Sequence, residues 1–167
     1  DPELSKKLLA EAGYPDGFEL TLDCPNDRYI NDEAICVAAI GMFAKIGVTV
    51  NLDAKTKSQH SSEVKGGDAN GMTSDMYMLG WGVPTFDSHY VYSYLFESSG
   101  SWNKVNFSNA RVDELVAAMG VETDLDKRNA MIAEAWDITQ DDVTYLPLHH
   151  QVISWAAKKD VNVPIRP

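Results

Sequence analysis

The sequence predicts an α/β fold, one domain over residues 1–167 with a central mixed sheet flanked by helices. Three observations carry that expectation. Residues 18–23 alternate, placing Phe18, Leu20 and Leu22 on one face of a strand. Ile35, Ala38, Met42, Phe43 and Ile46 then recur at helical spacing, and an apolar strand follows at residues 48–52. Strand, helix and strand in that order form a βαβ unit, whose crossover is right-handed. A further strand pattern at residues 75–79 precedes three capped helical segments.

Taken in order, Asp1 and Pro2 supply an N-cap and a proline at the first helical position. Leu4, Leu8 and Ala12 make the apolar stripe of a short helix ended by Gly13 and Pro15. A helix that begins at the first residue reads as part of something longer. In the central unit Asn31 stands at the N-cap position, and Asp32 and Glu33 lie beside the positive end of the helix dipole. Gly47 supplies the left-handed turn at the far end. Residues 55–64 read as a short polar helix closed by Gly66 and Gly67, and residues 68–73 as an exposed turn. Asp87 or Ser88 caps a helix through Phe96. Asn109 caps the next, with Val112, Leu115, Val116 and Met119 on one face. Residues 123–126 resemble a capping box opening a longer helix that carries Met131, Ile132, Ala135 and Ile138. Residues 144–149 and 151–157 read as extended, and residues 158–167 as an exit.

Composition narrows the chemistry. The chain has 25 Asp and Glu against 14 Lys and Arg, a formal charge of −11. Phosphate recognition needs clustered cations, so this balance argues against nucleic acid and against an anionic membrane surface. No apolar run approaches the roughly 20 residues of a membrane span. No phosphate loop, dinucleotide fingerprint or Gly-x-Ser-x-Gly elbow occurs, and no cofactor is expected. His149 and His150 are adjacent and would point to opposite faces of a strand, which does not make a metal site. Ser-x-x-Lys tetrads begin at Ser62 and Ser101 without their partner motifs, so a small hydrolase using Ser62 or Ser101 is the alternative class. Cys24 and Cys36 are either two separate, partly buried thiols or a disulfide pinning a loop to its helix in an oxidising compartment.

Recognition chemistry remains. Residues 24–30 follow the first strand at its carboxyl end, where ligands gather in such sheets. Asn26, Asp27, Arg28 and Tyr29 stand in that loop, and Trp81 stands in a second, glycine-rich loop ending at Asp87. A guanidinium grips a carboxylate bidentately, and aromatic rings supply apolar walls. Each residue has a plainer alternative: Arg28 as a solvated loop charge, Trp81 as a cap on the core.

The order of segments adds a resemblance. SKKLLAEAGYPDGF at residues 5–18 closely resembles the entry to the second lobe of family 5 extracytoplasmic solute-binding proteins, the dipeptide, oligopeptide and nickel-binding receptors of bacterial ABC importers. AKIGVTV at 44–50, LGW at 79–81, SNARVDEL at 108–115 and DVTYLPL at 142–148 follow in the family's order over nearly the whole chain. The resemblance implies a lobe of the type II periplasmic-binding-protein kind, and a protein that captures a solute rather than an enzyme. It implies the C-terminal lobe of a two-lobed protein, with the N-terminal lobe outside this sequence. It further implies a periplasmic location, or a membrane-anchored one in a Gram-positive host. The implied partners are a small peptide or peptide-like solute and the membrane permease of an ABC importer. Pro25-Asn-Asp-Arg28 followed by Asn31 looks like the dipeptide receptor's loop, whose arginine grips the ligand carboxylate, which implies that role for Arg28. The family's aspartate shortly after Gly-Trp, which holds the peptide ammonium, has no counterpart in the shortened GWGVPTFD at residues 80–87. Asp87 is the nearest substitute, and a modified peptide, an opine-like compound, a sugar or a metal chelate stays open as ligand.

Overall fold

A computed structural model describes residues 1–66 and 74–162. The elements run α1 (Pro2–Glu11), β1 (Glu19–Pro25), α2 (Asp32–Ala44), β2 (Thr49–Lys55), α3 (Lys57–Gly66) and β3 (Met76–Tyr77). Then come α4 (Ser88–Val91), a π-helical turn (Tyr92–Phe96), α5 (Ala110–Met119) and α6 (Leu125–Asp142). β1 is the middle of a three-stranded sheet ordered β2-β1-β3, with both pairs parallel. The class is α/β, as the periodicity implies. The described strands contain no antiparallel pair, so the mixed character expected of the sheet is not found among them. Residues 144–157, read as extended, have no strand pairing, and from Leu146 onward they are exposed. The turn expected at 68–73 and the last five residues of the exit lie outside the described residues.

The entry helix forms for local reasons. The Asp1 carboxylate accepts from the Glu3 and Leu4 amides at 3.1 Å each, and Pro2 needs no donor there. Its expected apolar stripe is not used: Leu4 and Leu8 are exposed, and Leu9 is the residue that packs against the sheet. Gly17 and Gly47 both have positive φ, and a Cβ on Gly17 would run into the Gly47 carbonyl. Only glycine allows those two turns to pack backbone against backbone at the start of β1 and β2.

Helix α2 follows its apolar pattern only in part. Of the five residues in that pattern, Phe43 and Ile46 pack against the sheet and Ile35 is half-buried, whereas Ala38 and Met42 are exposed, Met42 by 65%. Cys36, Ile40, Phe43 and Ile46 are the residues packed with Leu20, Leu22, Val48 and Val50. The physical reason is a tether: Cys36 is disulfide-bonded to Cys24 of β1 at 2.04 Å, which sets the rotation of the helix. Both half-cystines are buried.

A second core lies among the helices. Val112, Leu115, Val116 and Met119 of α5 are all buried there, on the face the sequence assigns them. Asn109 caps α5 through the Arg111 and Val112 amides, and Asp124 caps α6 through those of Asp126 and Lys127. The single helix expected from residue 88 to 96 is instead α4 followed by the π-helical turn. The wider turn brings Tyr92, Leu95 and Phe96 into the core together.

Beneath α3 sits a buried polar cluster that sequence reading does not single out. Asp23, in the middle of the sheet, is 0% exposed and meets His60 Nδ1 at 2.8 Å. Lys55 Nζ lies 3.5 Å from the other Asp23 oxygen and also contacts Asp53, at 2.6 Å, and Glu63. Burial works to lower the Lys55 pKa, but the carboxylates of Asp53, Glu63 and Asp23 outweigh it and hold the ammonium well above its ordinary value. The cluster anchors a helix of low hydrophobicity to an apolar sheet.

Candidate functional site

Because β1 and β3 are parallel neighbours, the loops that leave their carboxyl ends lie side by side. The first, after Pro25, carries Asn26, Asp27, Arg28 and Tyr29. The second runs from Met78 to Asp87 and carries Gly80 and Trp81. Tyr29 joins them: its hydroxyl donates to the Gly80 carbonyl at 3.4 Å. Its ring lies so close that a Cβ on Gly80 would fall 2.6 Å from Tyr29 Cε1, so a larger residue at this crossing would push the ring aside.

The first loop is held at three points. The Asn26 amide donates to the Lys55 carbonyl at 2.9 Å, extending the β1–β2 pairing by one residue. The Asp27 carboxylate accepts from the Lys57 amide and so caps α3 from outside the helix. The buried Asp32 carboxylate accepts from the Arg28, Tyr29 and Glu33 amides at 2.9 Å each. Asn31 was expected to cap α2, but it sits at φ 59° and makes no side-chain cap; its neighbour Asp32 takes the free amides. Burial works to raise the Asp32 pKa, and the amide hydrogen bonds from Tyr29, Arg28 and Glu33 outweigh it and hold the carboxyl below its ordinary value.

That arrangement sets a pH limit. An acid whose folded pKa is depressed contributes stability above its unfolded pKa, about 3.9 for Asp, and loses it as pH falls through the folded value. Hydrogen exchange at the Arg28 and Tyr29 amides is therefore expected to stay slow from neutral pH to about 5 and to lose protection below about 4. In Asp32→Asn that acid-dependent loss should disappear, with weaker protection throughout.

The disulfide closes the same segment, with 12 residues of sequence separation between Cys24 and Cys36. A link across a loop of this size is worth about 3 kcal/mol, chiefly by restricting the unfolded chain. Cys24→Ala/Cys36→Ala is expected to lose stability of that order in denaturant titration. A midpoint unchanged from the parent would show that the link contributes nothing.

Arg28 is exposed, and its guanidinium lies over the Tyr29 ring at 4.9 Å. Among the described residues it makes no ion pair, although the chain holds 25 carboxylates. Trp81 is half-buried and packs on Tyr90, Tyr94 and Trp102, with centroids 5.6 to 6.0 Å away. It belongs to the helical core, so the second loop bridges the two cores. Asp87 is committed elsewhere: its carboxylate accepts from the His89 amide at 2.8 Å and from Arg128 Nη2 at 2.7 Å. The Arg128 hydrogen bond, then the His89 amide, hold its pKa below the ordinary range. The structure thus gathers Asn26, Asp27, Arg28 and Tyr29 with the Gly80–Trp81 turn, and gives Asp87 a structural partner.

Ser62 and Ser101 are both exposed, and neither hydroxyl is hydrogen-bonded to a histidine among the described residues. Sequence reading also passed over Asp32 as a loop-holding residue. The signal was an acid three and four residues beyond Tyr29 and Arg28, within reach of two consecutive free amides.

Two loops thus meet at the carboxyl edge of a parallel sheet in an α/β lobe, and one of them carries a guanidinium without a carboxylate partner among the described residues. Solved structures share that fold. The periplasmic binding protein DppA from Helicobacter pylori, in complex with the peptide STSA, superposes with a TM-score of 0.75 at 24% identity over 89% of this chain and 28% of that one. A dipeptide binding protein from Pseudoalteromonas sp. SM9913, in complex with Met-Leu, gives 0.75 at 25% identity over 86% of this chain and 29% of that one. The chain belongs to the bacterial extracellular solute-binding proteins, family 5, whose middle-region model matches residues 1–103. The glutathione-binding protein GsiB of Salmonella typhimurium is 30% identical over 152 residues, or 89% of this chain. The chain spans about 30% of the length of that relative.

Proposed function

We propose that this chain is the C-terminal lobe of a two-lobed extracytoplasmic receptor that captures a small acidic peptide or peptide-like solute and hands it to the membrane permease of an ABC importer. The observation that carries this reading is Arg28, an exposed guanidinium without a carboxylate partner among the described residues, on a loop pinned by Asp32, Asp27 and the disulfide. A side chain so placed is prepared for a ligand carboxylate. Asp87 is occupied by Arg128 and so is not free to hold a ligand ammonium, whereas the Arg28 guanidinium has no carboxylate partner among the described residues. That favours a solute presenting carboxylate to this lobe, in keeping with relatives named for glutathione and dipeptides. The exposed Leu146, Leu148, Val152, Ile153 and Trp155 support a further lobe covering the extended segment. The family's members are solute-binding proteins, and the surroundings of Ser62 and Ser101 lend a hydrolase no support.

The work done is capture. Closure of one lobe on the other expels water and strengthens the Arg28 contact, and the solute drives closure only by binding the closed state better than the open one. The deciding experiment is native mass spectrometry of the full-length protein purified from its own periplasm, with extraction of the bound solute. A co-purified acidic peptide supports the receptor. A protein that stays empty, binds no peptide in titration and hydrolyses one instead overturns it.

A further inference from the structure

We propose that Phe86 determines which side chains the solute carries, its ring serving as an apolar wall of the binding cleft. This rests on the receptor reading above. Phe86 is 81% exposed, whereas an aromatic ring of that size is ordinarily buried for its transfer energy. Its backbone sits at φ 52°, in the left-handed region that a bulky aromatic rarely adopts and that glycine occupies freely.

The surroundings enforce this conformation. On one side the Phe86 amide donates to the Val83 carbonyl at 3.0 Å. On the other, Asp87 is fixed by the His89 amide at 2.8 Å and by Arg128 at 2.7 Å. A strained residue pinned from both sides, with its ring held in the open, is the pattern found where strain serves binding. Its neighbours Thr85 and Asp87, with Tyr90 and Tyr94, line an open groove of about 340 Å³ beside it. The loop that carries it leaves β3 next to the Arg28 loop and is joined to it through Tyr29 and Gly80. A solute held at Arg28 by its carboxylate therefore has a neighbouring loop with a ring ready for an apolar side chain.

The test is a double-mutant cycle between protein and peptide, by calorimetry on the full-length protein. The probes are triglycine and the three tripeptides in which one glycine is replaced by leucine. The wild type is expected to bind one leucine peptide roughly tenfold tighter than triglycine, the benefit of burying that side chain. In Phe86→Ala the preference should fall to within about twofold while the affinity for triglycine holds. Phe86→Gly should do the same with no loss of melting temperature, because glycine relieves the backbone, which separates lost contact from misfolding. A preference that survives Phe86→Ala, or affinities that fall in parallel for all four peptides, overturns the inference and leaves the receptor standing. Failure of the wild type to bind any of the four, or any co-purified solute, removes both.

Discussion

Replacing Arg28 with alanine in the full-length protein is expected to raise the dissociation constant for a carboxylate-bearing peptide by roughly 30-fold or more. The guanidinium has no other carboxylate to hold among the described residues, and it lies on a loop whose position is set by Asp32, Asp27 and the disulfide. Removing it leaves the ligand carboxylate enclosed without a partner, which accounts for most of the loss. Melting temperature should hardly move, since the side chain is exposed and ties no element to another. Arg28→Lys is expected to recover only part of the affinity, because an ammonium keeps the charge but not the two-pronged geometry. Calorimetric titration of the three proteins with one peptide decides the point. Equal affinities would take the carboxylate contact away from Arg28 and leave the family assignment as it is.

Asp23→Ala is expected to cost stability of about 3 kcal/mol, at the lower end of what breaking a buried ion cluster costs. Asp23 is fully buried, and its loss strips His60 Nδ1 of its acceptor and Lys55 of one of three carboxylates. Lys55 keeps Asp53 and Glu63, which is why the upper end is not reached. The effect should travel: α3 is anchored inside by His60 and capped outside by Asp27 of the Arg28 loop, so a loosened α3 frees that loop as well. Hydrogen exchange would show it as lost protection across α3 and residues 26–29 together. Protection lost only around Asp23 would mean that cluster and loop are independent. Replacing Asp23, Lys55 and His60 together by apolar residues of similar size should cost less than Asp23→Ala alone, since no buried charge is then left unpaired.

Much of this protein was legible in its residues. The alternation of Leu20 and Leu22, the apolar spacing of α5 and α6, and the caps at Asp1 and Asn109 are local signals, and each lies where period and capping chemistry put it. The loop that carries Arg28 was locatable too, because in a βαβ unit it follows the carboxyl end of the first strand. The second loop, at residues 80–87, was legible as well, but its place beside the first was not, since β3 pairs with β1 over only two residues.

The sequence by itself determined the α/β class, the order of elements and the candidate loop, all of which depend on residues close together in the chain. The tertiary structure decided that Cys36 and Ile40 join Phe43 and Ile46 on the packed face of α2, because the bond from Cys36 to Cys24 holds that side of the helix to the sheet. It also decided that Asp87 belongs to Arg128, 41 residues away, and that Asp23 and His60 meet across 37. Buried charges and hydrogen bonds choose partners by position in space, and periodicity along the chain carries no record of that choice.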